Sequence, residues 1–90
     1  MAVEVRIPTI LRTFTGGAKA VHGDGSTLSA VIDDIDSRNP GLKERLVESA
    51  SVRRFVNIYV NDEDVRFSGG LSAATSDGDV VVVLPAVAGG

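Results

Sequence analysis

The chain has 90 residues, a formal net charge of −3 at pH 7, and neither cysteine nor tryptophan. This length corresponds to a single domain, and the lack of cysteine excludes disulfides, thiolate nucleophiles and cysteine metal sites. The negative charge, with only three Phe and one Tyr, argues against nucleic-acid binding, which needs a basic field or aromatic stacking platforms.

The N-terminal sequence MAVEVRIP enters a strand-like alternation at once and lacks the cationic and apolar regions of a signal peptide. No apolar run approaches the ~20 residues that span a bilayer. We therefore expect a soluble, cytoplasmic protein.

A hairpin is predicted at the start of the chain. Val3, Val5 and Ile7 alternate with polar residues, a period of two that indicates a strand with one buried face. The TGG sequence at 15–17 is a turn signal, and AKAVH at 18–22 predicts a second strand that returns beside the first.

The main helix is predicted from residue 28 onward, with Ser26 or Thr27 as its N-cap. Its apolar stripe, at the i, i+3, i+4, i+7 spacing of one helical face, consists of Leu28, Val31, Ile32 and Ile35. The NPG sequence at 39–41 ends the helix. A short amphipathic turn should follow, with Leu42 and Leu46 directed inward.

The clearest strand is FVNIYVN at 55–61, with its apolar aliphatic residues on one face and Phe55, Asn57 and Tyr59 on the other. NDED at 61–64 predicts a tight turn into a short strand formed by VRF at 65–67. The unbroken apolar run VVVVL at 80–84 predicts a central last strand covered on both faces, and Pro85 limits its further pairing.

This order of elements predicts an α+β domain with the β-grasp arrangement of ubiquitin, a mixed sheet of four to five strands packed on one main helix. We expect residues 1–85 to form this domain and residues 86–90 to form a flexible C-terminal Gly-Gly tail.

Catalytic side chains are not suggested by any motif. His22 is the single histidine and has no cysteine partner for a triad or a zinc site. The NDED sequence lacks the ordered spacing of a calcium loop, and no glycine pair is followed by the lysine of a phosphate loop. We expect a protein that is not an enzyme and has no metal or cofactor of its own.

The reactive group is instead expected at the C-terminus. Ala86, Val87, Ala88 and Gly89 offer no functional side chain, and they lead to the α-carboxylate of Gly90, which is ionised at neutral pH. A slim segment that ends in two glycines suits threading into another enzyme's active site, because residues without Cβ pass a narrow channel. The alternative interpretation is that these residues are only a frayed chain terminus.

The sequences IPTILR…TGG, FVNIYVNDEDVRFSGGL and LPAVAGG resemble those of the ubiquitin-like sulfur-carrier proteins. This family includes the small subunit of molybdopterin synthase and the carrier for thiamine thiazole formation. The resemblance is strongest to the actinobacterial carriers for cysteine biosynthesis. It covers nearly the whole chain and is weakest between about residues 36 and 54.

The resemblance implies a chemistry for Gly90. An ATP-dependent, ubiquitin-activating-type enzyme would adenylate the terminal carboxylate, and sulfur would then displace AMP to leave a thiocarboxylate. The implied acceptor is a pyridoxal-phosphate-dependent cysteine synthase, and a zinc-dependent JAMM-type peptidase would release the cysteine. Those cofactors would belong to the partners.

Alternatives remain open at this stage. The carrier could supply sulfur for molybdopterin, thiamine or thiosugar synthesis, or the chain could be a ubiquitin-like modifier that forms isopeptide bonds with lysines, or a plain interaction domain. A partner-docking surface is expected at Phe14, Phe55 and Tyr59; the competing interpretation is that these rings close the edge of the core.

Overall fold

A five-stranded mixed sheet with one long helix packed against it forms the body of the computed structural model, which describes residues 2–85. The strands are β1 (Val3–Arg6), β2 (Ala20–Gly23), β3 (Val47–Glu48), β4 (Ser51–Val52), β5 (Val56–Val60), β6 (Glu63–Asp64) and β7 (Val80–Pro85). The helices are α1 (Leu28–Arg38) and α2 (Leu42–Leu46), with 3-10 helices at Thr9–Thr15, Val65–Phe67 and Gly70–Ser72.

The last strand lies at the centre of the sheet, as the sequence predicts. The strand order is β2-β1-β7-β5-β6, and β3 with β4 forms a separate hairpin. β7 runs parallel to β1, with Val5 opposite Val81, and antiparallel to β5, with Ile58 opposite Val83. The predicted β-grasp arrangement is therefore confirmed.

The core lies between α1 and one face of this sheet. The predicted stripe of α1 is fully buried against inward-facing residues of the strands, among them Val3, Val5, Ile58, Val81 and Val83. Burying such a side chain contributes about 1.5–3 kcal/mol. The hydroxyl oxygen of Thr27 accepts a hydrogen bond from the Ala30 N–H at 3.2 Å, which confirms Thr27 as the N-cap. Leu42 and Leu46 of α2 are also buried, as predicted.

The prediction that β7 is covered on both faces is wrong. Val81 and Val83 point into the core, whereas Val80 and Val82 are half-buried and Leu84 is 47% exposed. The outward face is covered only by the neighbouring side chains of β1 and β5, because α1 packs on the other face. An apolar stripe is thus left at the middle of the open face.

The predicted strand at VRF is also wrong, since residues 65–67 form a 3-10 helix. Asn61 and Asp62 adopt left-handed φ values of 49° and 71° and complete a two-residue hairpin turn, so the returning strand is already Glu63–Asp64. The carboxylate of Asp64 then accepts the Arg66 N–H at 2.9 Å and caps the 3-10 helix.

The hairpin of β3 and β4 is not anticipated by the sequence pattern. Its turn residues Ser49 and Ala50 have φ values of 51° and 62° without any glycine, so the usual hairpin signal is missing. Across residues 2–85, no helix has the length and apolarity needed to cross a membrane.

Candidate functional site

The predicted reactive segment, comprising Ala86, Val87, Ala88, Gly89 and Gly90, lies outside the described residues. The structure therefore defines the surface from which this segment departs, namely the end of β7 at Pro85, which lies opposite Val56 of β5. The predicted domain boundary after residue 85 and the roles of residues 86–90 stay predictions.

An open pocket of about 270 Å³ adjoins Pro85. We call its principal lining the Pro85 surface, which consists of Ile10, Leu11, Arg45, Arg53, Phe55, Val56 and Pro85. The lining is mainly apolar, and two arginines stand beside it. The surface thus combines apolar and cationic groups beside the last described residue.

One wall of the pocket is the 3-10 helix Thr9–Thr15, which starts after Pro8 in an extended conformation. Three residues per turn place consecutive side chains about 120° apart. Leu11 accordingly enters the core while Ile10 is 67% exposed at the pocket. The sequence pattern does not predict this helix, because the segment lacks a regular apolar period.

The opposite wall is the turn before β5, which presents Phe55 with 52% of its surface exposed. Arg66 holds this turn. Its guanidinium donates to the carbonyl oxygens of Val56 at 2.6 Å and Arg53 at 3.2 Å, and to the side-chain oxygen of Asn57 at 2.7 Å. The sequence carries no signal for this role, because Arg66 reaches the turn only once β6 has folded back along β5.

The three aromatic residues predicted for docking lie in three different environments. Phe55 lines the pocket beside Val56. Phe14 is half-buried against the core, with the Arg45 guanidinium 5.3 Å from its ring centre. Tyr59 is half-buried on the outward face of the sheet, where it lies opposite Val82. Phe55 thus lines the pocket and Phe14 lies beneath Arg45, another lining residue, whereas Tyr59 lies on the outward face of the sheet. The role of the three rings in docking stays a prediction.

A second open pocket of about 330 Å³ lies on the other side of the end of β7. Val82 and Leu84 supply its apolar part, while Arg12 and Lys19 contribute cationic groups. The Arg12 Nε–H donates to the Ile7 carbonyl oxygen at 3.1 Å, which fixes this arginine beside β1. Basic and apolar groups thus flank the end of β7 on both sides.

The beginning of β7 is acidic by contrast. The carboxylate of Asp79 accepts hydrogen bonds from the Asn61 side-chain amide at 3.0 Å and from the Ser76 N–H at 2.8 Å. These bonds hold the pKa of Asp79 below its ordinary value. Asp77 accepts the Ala2 N–H at 2.8 Å in the same region. Charge is therefore divided between the two ends of the strand.

Comparison with known proteins places these features in a family. The sequence matches the ThiS family over residues 5–90. It is 60% identical to the sulfur carrier protein CysO of Mycobacterium tuberculosis over 100% of both chains. It is also 33% identical to small archaeal modifier protein 3 of Haloferax volcanii, again over 100% of both chains.

The fold agrees with a solved structure of the same group. A chain in the crystal structure of the Amycolatopsis orientalis BexX/CysO complex matches with a TM-score of 0.95 and 61% identity, and the match covers 99% of this chain and 100% of that one. Sequence and structure thus agree along the whole length, and both confirm the predicted resemblance. The chain belongs to the ThiS family and is a homologue of the sulfur carrier protein CysO.

Proposed function

We propose that the chain carries sulfur as a thiocarboxylate on Gly90. The observation that carries this proposal is the 60% identity, over the full length of both chains, with a protein named as a sulfur carrier. The sequence supports it further, because five residues follow Pro85 and end in Gly89 and Gly90. The carrier acts as the substrate of its partners and is not itself the catalyst.

The proposed chemistry has two steps in a partner's active site. A carboxylate oxygen of Gly90 attacks the α-phosphorus of ATP, and pyrophosphate leaves, so that the carboxylate becomes an acyl adenylate. A sulfide ion then attacks the acyl carbon, the bond to the phosphate oxygen breaks, and AMP leaves. The product is a thiocarboxylate that is ready to act as a sulfur nucleophile. The protein supplies the tether and the recognition surface.

The proposed partners follow from this chemistry and from the family. An ATP-dependent enzyme of the ubiquitin-activating type would adenylate Gly90. A pyridoxal-phosphate-dependent cysteine synthase would accept the sulfur, and a zinc-dependent JAMM-type peptidase would release the cysteine formed. Support for a stable protein partner comes from the relative in Amycolatopsis orientalis, whose CysO is described in a complex with BexX.

The test is an intact-mass measurement. The purified chain is incubated with ATP, the adenylating enzyme and sulfide, and one terminal oxygen should be exchanged for sulfur. A variant that lacks Gly90 is the control and should keep its original mass. If the wild-type mass stays unchanged while the enzyme consumes ATP in the presence of the carrier, sulfur carriage is wrong.

A second function is protein modification, which the 33% identity with small archaeal modifier protein 3 supports. In that case a lysine amine of another protein would attack the acyl adenylate, AMP would leave, and an isopeptide bond would form. Incubation of the activated chain with a cell extract, followed by tryptic mass spectrometry of lysines that carry the C-terminal peptide 67–90 of this chain, separates the two functions. Conjugates without any thiocarboxylate would favour the modifier.

A further inference from the structure

We propose that the Pro85 surface binds an acidic protein surface from which one apolar side chain projects into the pocket. This inference rests on the proposed function, since the partner must reach the residues that follow Pro85. It adds that the surface of the partner is acidic, which the net charge of −3 on this chain would not by itself suggest.

The apolar part of the Pro85 surface is the pocket itself. Ile10 and Phe55 are 67% and 52% exposed, and both line the open pocket of about 270 Å³ together with Val56. Large exposed apolar side chains at one place on a small protein mark an interaction site. The volume suits one aliphatic or aromatic side chain.

Two arginines lie at this surface: Arg45 lines the pocket, and Arg54 lies over the ring of Phe55. Arg45 and Arg54 are exposed, and within residues 2–85 neither forms an ion pair. Each guanidinium lies over an aromatic ring instead, Arg45 at 5.3 Å from the centre of Phe14 and Arg54 at 5.9 Å from the centre of Phe55. A cation–π contact of this kind leaves the N–H groups of the guanidinium available to bind a carboxylate.

Most other cations of the described chain have a carboxylate partner. Arg38 is paired with Asp34, Lys43 with Asp33 and Arg6 with Glu4, and Arg53 of the Pro85 surface is itself paired with Glu48. Arg45 and Arg54 are thus the arginines near Phe55 that remain available to a carboxylate of a partner, and Arg12 and Lys19 line the pocket on the other side of the strand. A protein with a net charge of −3 therefore presents a locally basic surface where its C-terminal residues begin.

Complementary charge of this kind acts mainly on the rate of association. The Asp and Glu side chains of the partner would meet Arg45 and Arg54, and the apolar side chain between them would fill the pocket. Aspartates and glutamates that ring an apolar knob are accordingly the features that we expect on the partner.

The test measures binding of the carrier to its adenylating enzyme by stopped flow or surface plasmon resonance. Between about 0.02 M and about 0.5 M NaCl, the association rate of the wild type should fall at least about tenfold. The double variant Arg45→Gln/Arg54→Gln should associate about tenfold more slowly at low salt and depend less on salt. Ile10→Ser, which leaves the rings beneath both arginines in place, should instead speed dissociation and leave the salt dependence unchanged.

A matched control separates the local surface from the overall charge. Arg38→Gln/Lys43→Gln removes the same two charges at positions away from Pro85, and its rates should equal those of the wild type. Equal slowing by both double variants, or an association rate that does not respond to salt, would overturn the inference. Self-association of the wild type that Arg45→Gln/Arg54→Gln abolishes, without enzyme binding, would assign the surface to a second copy.

The two proposals fail in distinguishable ways. If the wild type binds the enzyme as described and no thiocarboxylate forms, the proposed function is wrong and the surface stands. If Arg45→Gln/Arg54→Gln is converted to the thiocarboxylate with the KM of the wild type, the surface is wrong and the function stands.

Discussion

The guanidinium of Arg66 donates a hydrogen bond of 2.6 Å to the carbonyl oxygen of Val56. β6 pairs only with Tyr59 and Val60 of β5, so the carbonyl of Val56 lies beyond the reach of that short strand. A single side chain therefore takes the place of backbone pairing at this edge and holds the turn that carries Phe55.

Replacing Arg66 by Ala should weaken partner binding as well as the fold. We expect the KM of the adenylating enzyme for the carrier to rise several-fold while kcat stays unchanged, because the turn at Phe55 loses its anchor. The loss of stability should be about 1 kcal/mol, since the bonds are exposed to solvent. Kinetics of adenylation and urea unfolding check the two parts.

Arg38→Ala is the matched control for this experiment. Arg38 also donates to a backbone carbonyl, that of His22, and to the carboxylate of Asp34, but it lies at the β2 edge of the sheet. A similar loss of stability without any change in KM is expected. An equal rise in KM for both variants would mean that Arg66 acts only through stability.

Gly25→Ala should be strongly destabilising because there is no space for the added Cβ, and not because of the backbone conformation. A Cβ at this position would lie 2.7 Å from the backbone nitrogen of Val31 and 2.8 Å from the carbonyl carbon of Ala30. The backbone of α1 cannot yield without a shift of the helix, so we expect a cost of about 1–3 kcal/mol. Thermal and urea unfolding measure it.

Gly78→Ala provides the comparison for Gly25→Ala. Gly78 has a φ of 89° and open space where a Cβ would be placed, so its cost should be only that of the left-handed backbone, about 1–2 kcal/mol. If Gly25→Ala unfolds at the same denaturant concentration as the wild type, the close packing of the 23–27 loop on α1 is wrong.

Lowering the pH should reduce the stability of the wild type through Asp79. Its carboxylate loses its hydrogen bonds from Asn61 and Ser76 when it is protonated. The folded pKa of Asp79 lies below its ordinary value. Its stabilising contribution is thus complete above the unfolded pKa of about 4 and is lost as the pH falls through the folded value. Urea unfolding between about pH 2 and pH 6 follows this loss.

The neutral variant Asp79→Asn isolates that contribution. Its stability should be lower than that of the wild type near pH 7, and the difference should shrink as the pH falls. A difference that is the same at all pH values would show that the charge of Asp79 has no part in the effect.

Removing Gly90 should abolish activation without lowering the melting temperature. Residues 2–85 by themselves form the described core, sheet and helices, so we expect the fold to persist without the terminal residue. Differential scanning calorimetry and the intact-mass assay are run on the same sample. A large decrease in melting temperature would mean that Gly90 has a structural role.

The regular elements could be predicted from the sequence because their signals are local. The apolar stripe of α1, the cap at Thr27 and the alternation in β1 each depend on residues within one or two turns or a few positions. The hairpin at Ser49 and Ala50 could not be predicted, since neither residue is a usual choice for a left-handed turn. Its conformation is imposed by the packing of Val47 and Val52 against the core.

The candidate site was only partly predictable. The sequence predicts a reactive region at Gly89 and Gly90, which lie outside the described residues, so this stays a prediction. The pocket beside Pro85 joins residues from three separate segments, near Ile10, Arg45 and Phe55, and no local pattern links them. The pairing of Phe55 with Ile10, and its separation from Tyr59, depend on the tertiary fold.

The central position of β7 has a mechanical consequence. This strand is hydrogen-bonded on one side to β1 and on the other to β5. It leads directly to the segment that the proposed partner enzyme would bind. A force along the strand would act in shear on its hydrogen bonds to β1 and to β5. These bonds would therefore resist the force together and would not open one after another. The domain should therefore withstand traction applied at Pro85, which the proposed entry of residues 86–90 into a partner's active site would require.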